Sequence, residues 1–478
     1  MPVRRQPAIE DLSSQIDVTN SLLTQDDPFQ GDLEADVRSI RALVDPSDDI
    51  ISQHLPNSPT PAVLVYQTGM ADVRSMVPAV LSGLREGASV QLPELRRIDR
   101  PRAAVKAVLQ GDAILLTEGS TEASVLPFAS NVRPETPEAE RLVRGPHQAF
   151  TPELNKNLAL LRKLLQSNRL HVEYHSLTPQ SESIVALCYL GGKAPAEVRE
   201  EILKRLAHVS GGDFTDVTLL KPALADNSLS PFVNVQLTER VDTAALGVLH
   251  GRYAVFTSGS AQALLVPATF VEMMNSPEDR YLPRYIANFA RLLRWSSMIT
   301  ALTLEPIYIA ITTIHQELLP TPLAFAVARS RTGVPLPAFV EVLVMALIIE
   351  VLREAAIRLP HPLSQTIAIV GALVIGQAVV TASLISAPVV VIVALSGLAS
   401  FAMPQYEIAM VIRILRFPAM IAAATLGLFG IASYFLALIL HMAKLRSFGI
   451  SYLAPLAPLQ PAQLSRIVRW HAPKPTEP

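Results

Sequence analysis

The chain has 478 residues, half of them hydrophobic, with a formal net charge of −2 and one cysteine, Cys188. This length exceeds what one hydrophobic core usually supports, so we expect at least two domains. A single cysteine excludes a disulfide within the chain, and the absence of an arginine and lysine stripe argues against nucleic acid as a partner. Cys188 lies in an apolar run, where a buried side chain is the simpler interpretation and a catalytic thiol the weaker one.

Residues 1–58 are polar and rich in turn-forming residues around one short helical patch. This composition predicts a flexible N-terminal arm. The first residues lack the apolar stretch of a cleaved signal, so we expect the N-terminal part of the protein to stay in the cytoplasm.

An internal repeat organises the next two hundred residues. VLQGDAILLTEGSTEASVLP, from Val108, aligns without gaps to VLHGRYAVFTSGSAQALLVP, from Val248, with eight of twenty positions identical. Each copy has two apolar runs around Gly-Ser, which predicts a β-hairpin, and a strand-then-helix pattern lies upstream of each. We therefore predict a soluble α/β N-terminal body of two related subdomains, at 59–143 and, with a linker helix, at 144–275. Chance similarity between Val- and Leu-rich strands is the alternative.

The linker helix carries Lys156, Arg162 and Lys163 on one face. A basic helix face is more often solvated surface than a ligand site, and we interpret this one as surface. Further along, Ser276 is predicted to cap a helix start, with Pro277 at its first position.

The C-terminal part is apolar enough for lipid. Residues 362–406 contain no charged residue or histidine, and the 21 residues from 366 to 386 would form a helix of about 31 Å, matching a hydrocarbon core of about 30 Å. We predict an α-helical multi-pass membrane domain at 276–446 with four to six helices, including re-entrant or interfacial segments. A cytoplasmic proline-rich tail follows at 447–478. Basic residues flank the first and last spans, which predicts cytoplasmic N- and C-termini and an even number of crossings.

Three glutamates interrupt these apolar spans. Glu305 lies about ten residues inside the first one, where an acid is costly unless it faces protein, water or a cation. A salt bridge to an arginine on a neighbouring helix is an equally good explanation. Glu341 and Glu350 enclose eight uncharged residues, too few for a lipid-facing span, so we expect a protein-lined, re-entrant or interfacial helix. Residues 407–416 have the pattern of an in-plane interfacial helix.

The predicted helix at 366–386 has one face of glycine, alanine and serine. Such faces usually mean close helix packing. The functional alternative is that copies of this helix surround a narrow pore, with Ile367 and Val370 as an apolar constriction and Gln377 adding polarity.

The sequence contains no phosphate-binding GxxxxGK[ST] motif, HExxH motif, GxSxG motif or paired cysteines. We therefore predict no catalytic residues, no metal and no cofactor, and expect a protein that is not an enzyme. The motifs leave the ligand-binding residues unknown.

Several segments resemble the A subunit of the GerA-type spore-germination nutrient receptors, over residues from about 60 to 460. The segments are SPEDRY, RLLRWSSMITALTLEPIYIAITTIHQELLPTPLAFAVARSRTGVPLPAFVEVLVMALIIEVLREAAIRLP, IVGALVIGQAVV, LRSFGISYLAPLAPL, RGPHQAF and TERVD. The resemblance implies a multi-pass subunit of the spore inner membrane that acts beside a transporter-like B subunit and a lipoprotein C subunit. It also implies self-association into a nutrient-gated ion channel that responds, through the complex, to a small nutrient such as an amino acid, sugar or nucleoside.

Two other functions compete with the channel. A secondary transporter with a cytoplasmic regulatory domain would usually show its repeat within the membrane part, whereas this repeat lies outside it. A membrane-anchored binding module would have no use for buried acids in its spans. The channel hypothesis assigns the ion path or gate to six residues: Ile367, Val370, Gln377, Glu305, Glu341 and Glu350.

Overall fold

The computed structural model describes residues 27–44, 47–56, 58, 60–85, 96–130, 132–177, 184–209, 216–227, 230–358, 374 and 376–461. The chain divides into two compact units. The first comprises Met1–Leu142, Pro146–Leu224 and Val235–Pro267, and the second comprises Val143–Gly145, Ala225–Asn234 and Ala268–Pro478.

The first unit contains two five-stranded antiparallel sheets. The strands of the first sheet are β1 (Ile50–His54), β2 (Ala62–Gln67), β3 (Arg96–Ile98), β4 (Ala113–Thr117) and β5 (Ala123–Leu126), in the spatial order β1-β2-β4-β5-β3. Its helices are α1 (Leu33–Ala42), α2 (Val73–Arg85) and α3 (Pro101–Gln110). Every residue of β2 is buried because α1 and α3 cover one face of the sheet and α2 covers the other.

The second sheet repeats this strand order. Its strands are β6 (Leu170–Ser176), β7 (Ile184–Leu190), β8 (Gln236–Thr238), β9 (Tyr253–Thr257) and β10 (Ala263–Val266), in the order β6-β7-β9-β10-β8. Its helices are α4 (Leu154–Leu165), α5 (Ala196–Ala207), α6 (Lys221–Leu224), which follows a 3-10 turn at Val217–Leu220, and α7 (Val241–Leu249). Helices α4 and α7 share a hydrophobic core with strands of this sheet.

The predicted hairpins are confirmed, and they share their register. Ala113 pairs with Leu126 in the first sheet, and Tyr253 pairs with Val266 in the second, each position shifted by the 140 residues that separate the sequence repeats. Gly119 and Gly259 occupy the two turns with φ of 77° and 93°, a left-handed conformation that favours glycine. The predicted α/β body is therefore built from two sheets with one strand order.

Part of the predicted N-terminal arm belongs to the first sheet. Helix α1 and strand β1 both lie within residues 1–58, and Ile50 to His54 pair with β2 over their whole length. Phe29, Leu33 and Ile40 are buried in the core of this sheet. The segment is polar on average, but these few apolar side chains are enough to anchor it in the core.

The second unit is mainly helical. Its helices are α8 (Phe270–Met273), α9 (Arg284–Thr313), α10 (Thr321–Ser330), α11 (Ala338–Arg358), α12 (Ala387–Ser400) and α13 (Tyr406–Lys444), with 3-10 turns at Pro277–Arg280 and Gln316–Leu318. A two-stranded ribbon follows, β11 (Arg446–Ser447) with β12 (Ile450–Ser451). The Ser276 side chain accepts a hydrogen bond from the Glu278 amide, so the predicted cap is confirmed, although the turn it caps is a short 3-10 helix.

Helix α13 is a helical hairpin. Its 39 residues include Gly427, whose φ of 63° and ψ of −140° are not helical. The Tyr434 hydroxyl donates to the Leu415 carbonyl at 2.8 Å, across 19 residues of chain. In a straight helix these residues would lie about 28 Å apart. The chain therefore reverses at Gly427, and arms 406–426 and 428–444 lie side by side.

Within the described ranges, α13 is the helix that is long and apolar enough to cross a membrane, and α12 is a shorter apolar helix. The interfacial helix predicted at 407–416 is wrong, because these residues form the start of the first α13 arm. Two of them, Arg413 and Arg416, are buried against the other helices of the bundle.

Candidate functional site

Five charged side chains meet inside the helical bundle of the second unit, and we call them the ionic cluster. Its members are Glu305 from α9, Glu350 and Arg353 from α11, and Arg413 and Arg416 from the first arm of α13. Residues three apart lie on one face of a helix, so α11 and α13 each direct two charges to the same place.

Arg416 is the centre of the cluster. Its side chain is 2% exposed, and its Nη1 contacts Glu305 Oε1 at 2.9 Å. Its Nη2 contacts Glu350 Oε1 at 2.8 Å. Glu305 is fully buried, whereas the Glu350 side chain remains 26% exposed. One guanidinium therefore joins α9, α11 and α13 through two charge-assisted hydrogen bonds.

Arg413 and Arg353 approach Glu350 less closely. Arg413 Nη1 lies 3.5 Å from Glu350 Oε2, and Arg353 Nη1 lies 3.7 Å from Glu350 Oε1. The Arg353 guanidinium also stacks on the Phe401 ring at 4.5 Å and donates to Ser400 Oγ at 3.4 Å. These contacts hold the end of α12 against α11.

Glu341 forms a separate site. Its Oε2 accepts hydrogen bonds from the Ser386 amide at 2.9 Å and the Ser386 hydroxyl at 2.8 Å, and Arg331 Nη2 lies 3.2 Å from its Oε1. Glu350 lies nine positions after Glu341, which is about 13 Å along a helix. Glu341 therefore braces the starts of α11 and α12 and takes no part in the ionic cluster.

Four of the six residues predicted for the ion path lie in the described part of the chain, and two of these four meet in the ionic cluster. The structure joins Glu305 and Glu350 through Arg416 and places Glu341 elsewhere in the bundle, while Gln377 is an exposed residue of a short helical stretch. Ile367 and Val370 lie outside the described residues. For Glu305 the salt bridge to a neighbouring helix is confirmed. The sequence suggested no role for Arg353 and placed Arg413 and Arg416 in an interfacial helix, although two arginines three residues apart in an apolar stretch also fit an inward-facing pair.

A second buried ion pair lies in the N-terminal body. Arg162 is 1% exposed and contacts Asp49 Oδ1 at 2.6 Å and Oδ2 at 2.5 Å. It also donates to Ser47 Oγ at 2.7 Å and to the Leu170 carbonyl at 3.0 Å. The prediction that Arg162 lies on a solvated face is wrong, because this helix face packs against the segment before β1. Lys163, beside it, is exposed.

Glu140 and Arg240 lie in a partly buried polar contact at the start of α7. Glu140 Oε2 accepts from Thr238 Oγ1 at 2.6 Å. Arg240 is fully buried and donates to the Pro146 carbonyl at 2.8 Å and to Asp242 Oδ2 at 2.9 Å. Burial raises the pKa of Glu140 to about 7 despite the hydrogen bond from Thr238. This carboxyl therefore titrates near neutrality.

The described residues offer little for catalysis. Cys188 is fully buried, and burial raises the pKa of its thiol, so it has the character of an inert core residue. No group of three or more His, Cys, Asp or Glu side chains suited to a metal ion occurs in the part of the chain that the structure describes.

Comparisons with known proteins identify relatives along most of the chain. The family model described as Bacillus/Clostridium GerA spore germination protein matches residues 38–476. Spore germination protein B1 of Bacillus subtilis (strain 168) is 33% identical over 453 residues, which cover 91% of this chain and 93% of that protein. Spore germination protein A1 of the same organism is 35% identical over 402 residues, 82% of this chain and 83% of that one.

Two further matches concern a membrane protein and a solved structure. The uncharacterized membrane protein YfkQ of Bacillus subtilis is 38% identical over 356 residues, 74% of this chain and 69% of that one. The crystal structure of the N-terminal domain of the A subunit of the Bacillus megaterium spore germinant receptor GerK3 is 23% identical. It covers 51% of this chain and 98% of that domain, with a TM-score of 0.40. On the family match and the long relatives, the chain belongs to the Bacillus/Clostridium GerA spore germination protein family.

Proposed function

We propose that the chain is the membrane subunit of a spore germinant receptor, and that copies of it form a nutrient-gated ion channel that triggers germination. Membership of the GerA family supports a role in spore germination. The ionic cluster is the main observation that supports channel activity. Ionisable side chains inside membrane bundles are costly and commonly mark ion pathways or the elements that move with them.

The outer surface of the bundle supports a membrane location. Large apolar side chains are exposed along both α13 arms, including Leu426, Phe429 and Leu436. The first arm, with 21 residues, would be about 31 Å long and α11 about the same, which matches a bilayer core of about 30 Å. We place this multi-pass domain in the spore inner membrane, which is the cell membrane.

The hairpin supports the proposed orientation. Ile408, near the start of the first arm, and Met442, near the end of the second, belong to one hydrophobic cluster that also contains Ala301 of α9. Ile309, further along α9, packs instead with residues on both sides of the Gly427 turn, so both ends of α13 lie toward the start of α9. Basic residues at these ends, such as Arg284 and Lys444, favour the cytoplasmic side for both termini.

The three acids divide the proposed ion path into two roles. Glu305 and Glu341 are fully buried and paired, so they brace helices in this conformation. Glu350 keeps an exposed part and is the acid that an ion could approach. We keep Ile367 and Val370 as the proposed gate, with the exposed Gln377 on the same segment. As the partners in the receptor we propose a transporter-like B subunit and a lipoprotein C subunit.

The test is cation efflux from liposomes that hold the full chain, alone and with its B and C partners, with and without a nutrient mixture. The proposal expects efflux that depends on nutrient and follows the ion gradient. Saturable nutrient uptake without cation efflux would instead establish a secondary transporter. If neither cation efflux nor nutrient uptake were observed, the protein would be a binding subunit.

The gate has its own test. Ile367→Ala and Val370→Ala should each widen the constriction and leak cations without nutrient, because an apolar ring stops ions by dewetting. Val391→Ala, an exposed valine of α12, is the matched control and should leave resting permeability unchanged. Normal resting permeability in both gate variants, at normal protein level, would contradict this assignment.

A further inference from the structure

The ionic cluster holds more positive than negative charge. It contains three guanidinium groups and two carboxylates, so its formal charge is +1. Arg416 alone makes the two short contacts to both acids. An uncompensated charge out of water is strongly unfavourable, so a buried cluster of this composition favours one more anion.

Arg413 and Arg353 are the two cations of the cluster that contact an acid only at long distance. The Arg413 side chain is 8% exposed, and its Nε has no hydrogen-bond partner among the described residues. Its Nη2 faces the Met410 sulfur at 2.6 Å, and a thioether is a weak acceptor. The 3.5 Å and 3.7 Å distances from Arg413 and Arg353 to Glu350 exceed the usual length of an N–H to O hydrogen bond. Both guanidinium groups thus face the same acid without being saturated by it.

The surroundings suit an anion at a membrane surface. Arg353 lies near the end of α11, and Ser400 and Phe401 lie at the end of α12, so the two arginines are close to one end of these helices. Phe401 and Tyr406 are exposed large aromatic residues there. Tyrosine is one of the two residue types enriched at the headgroup level of a bilayer.

We propose that Arg353 and Arg413 bind one phosphate group, supplied either by a phospholipid headgroup or by free phosphate. Arginine is suited to phosphate because its planar fork of donors matches two oxygens at once. A phosphodiester carries one negative charge, which brings the formal charge of the cluster to zero. This match favours the lipid as the source.

The experiment uses the full chain purified in a neutral, phosphate-free detergent, with phosphatidylglycerol and inorganic phosphate as separate probes. Native mass spectrometry measures bound lipid, and the shift in Tm measures the effect of each probe. The variants are Arg413→Gln and Arg353→Gln. Arg358→Gln is the matched control. It removes one arginine charge from α11, the helix of Arg353, but the Arg358 side chain is 77% exposed and paired with Glu354.

We expect phosphatidylglycerol to bind the wild type and raise its Tm. The affinity for this lipid should fall at least tenfold in Arg413→Gln and in Arg353→Gln, and should change less than twofold in Arg358→Gln. Binding of inorganic phosphate with the same variant pattern, and none of the lipid, would assign the site to free phosphate. Arg413→Lys keeps the charge and tests whether Arg413→Gln fails only in folding. Binding of either probe that is equal in wild type, Arg413→Gln and Arg353→Gln would overturn the proposal. Absence of binding by both probes would overturn it as well.

Discussion

Replacing Arg416 by methionine is the most direct perturbation of the ionic cluster. The substitution keeps a flexible, unbranched apolar stem, shortens the side chain and removes the charge. It leaves Glu305 fully buried without the contact at 2.9 Å, while Glu350 keeps Arg413 and Arg353 nearby. Removing one partner of a buried pair costs about 3–5 kcal/mol, because the other charge stays buried and uncompensated.

A double variant separates the pair from the packing. Glu305→Gln removes the orphaned charge, so Glu305→Gln/Arg416→Met should be more stable than Arg416→Met alone by about 2 kcal/mol or more. Arg358→Met, in an exposed pair with Glu354 on α11, should cost only about 0.5 kcal/mol or less.

The assay is the unfolding of the full chain in mixed micelles with increasing sodium dodecyl sulfate, followed by circular dichroism. The reasoning would be refuted if Arg416→Met were as stable as Arg358→Met. It would also be refuted if the double variant were no more stable than Arg416→Met, since the loss would then come from packing and not from an uncompensated charge.

Two other predictions concern the hairpin and the N-terminal body. A Cβ at Gly430 would lie 2.1 Å from the Ala422 carbonyl oxygen on the other arm, so Gly430→Ala should sharply lower the yield of folded protein on size exclusion. Gly333→Ala is the control, because Gly333 has a φ of 91° but open space around it, and this substitution should cost only about 1 kcal/mol. Equal yields of the two variants would contradict the hairpin. Because burial raises the pKa of Glu140 from 4.5 to about 7, the folded state binds its proton more tightly, and the contribution of Glu140 to stability falls as pH rises through this window and is level above it. Glu140→Gln should remove this fall in unfolding free energy between pH 4.5 and 7. Glu138→Gln, at an exposed site, is the control and should retain it. Parallel curves of unfolding free energy against pH for Glu140→Gln and the wild type would argue against the raised pKa.

The local features of the N-terminal body could be predicted because their causes are local. The hairpins need a turn with φ above zero between two apolar runs, and the glycines at 119 and 259 supply it within a few residues. The cap at Ser276 is equally local. The shared register of the two sheets then follows from the ungapped repeat.

The long-range pairs could not be predicted in the same way. The partners Arg162 and Asp49 are 113 residues apart, and Arg416 and Glu305 are 111 residues apart. A basic side chain on an amphipathic helix has the same local pattern whether its face meets solvent or another segment. For this reason Arg162 was assigned to the surface and Arg416 to a membrane interface.

The sequence alone predicts the duplicated α/β body, the apolar helical part and its costly internal acids, and it carries the resemblance to the GerA family. The predicted structural features depend on composition, on periodicity and on glycine positions, which act over a few residues, whereas the resemblance rests on the matching segments themselves. The folded structure was needed to establish that α13 turns back at Gly427, that Glu305 shares Arg416 with Glu350, and that Glu341 lies outside the ionic cluster. The reason is physical: glycine is tolerated both inside an apolar helix and at its reversal, and a buried charge is settled by whichever opposite charge the packing brings within reach.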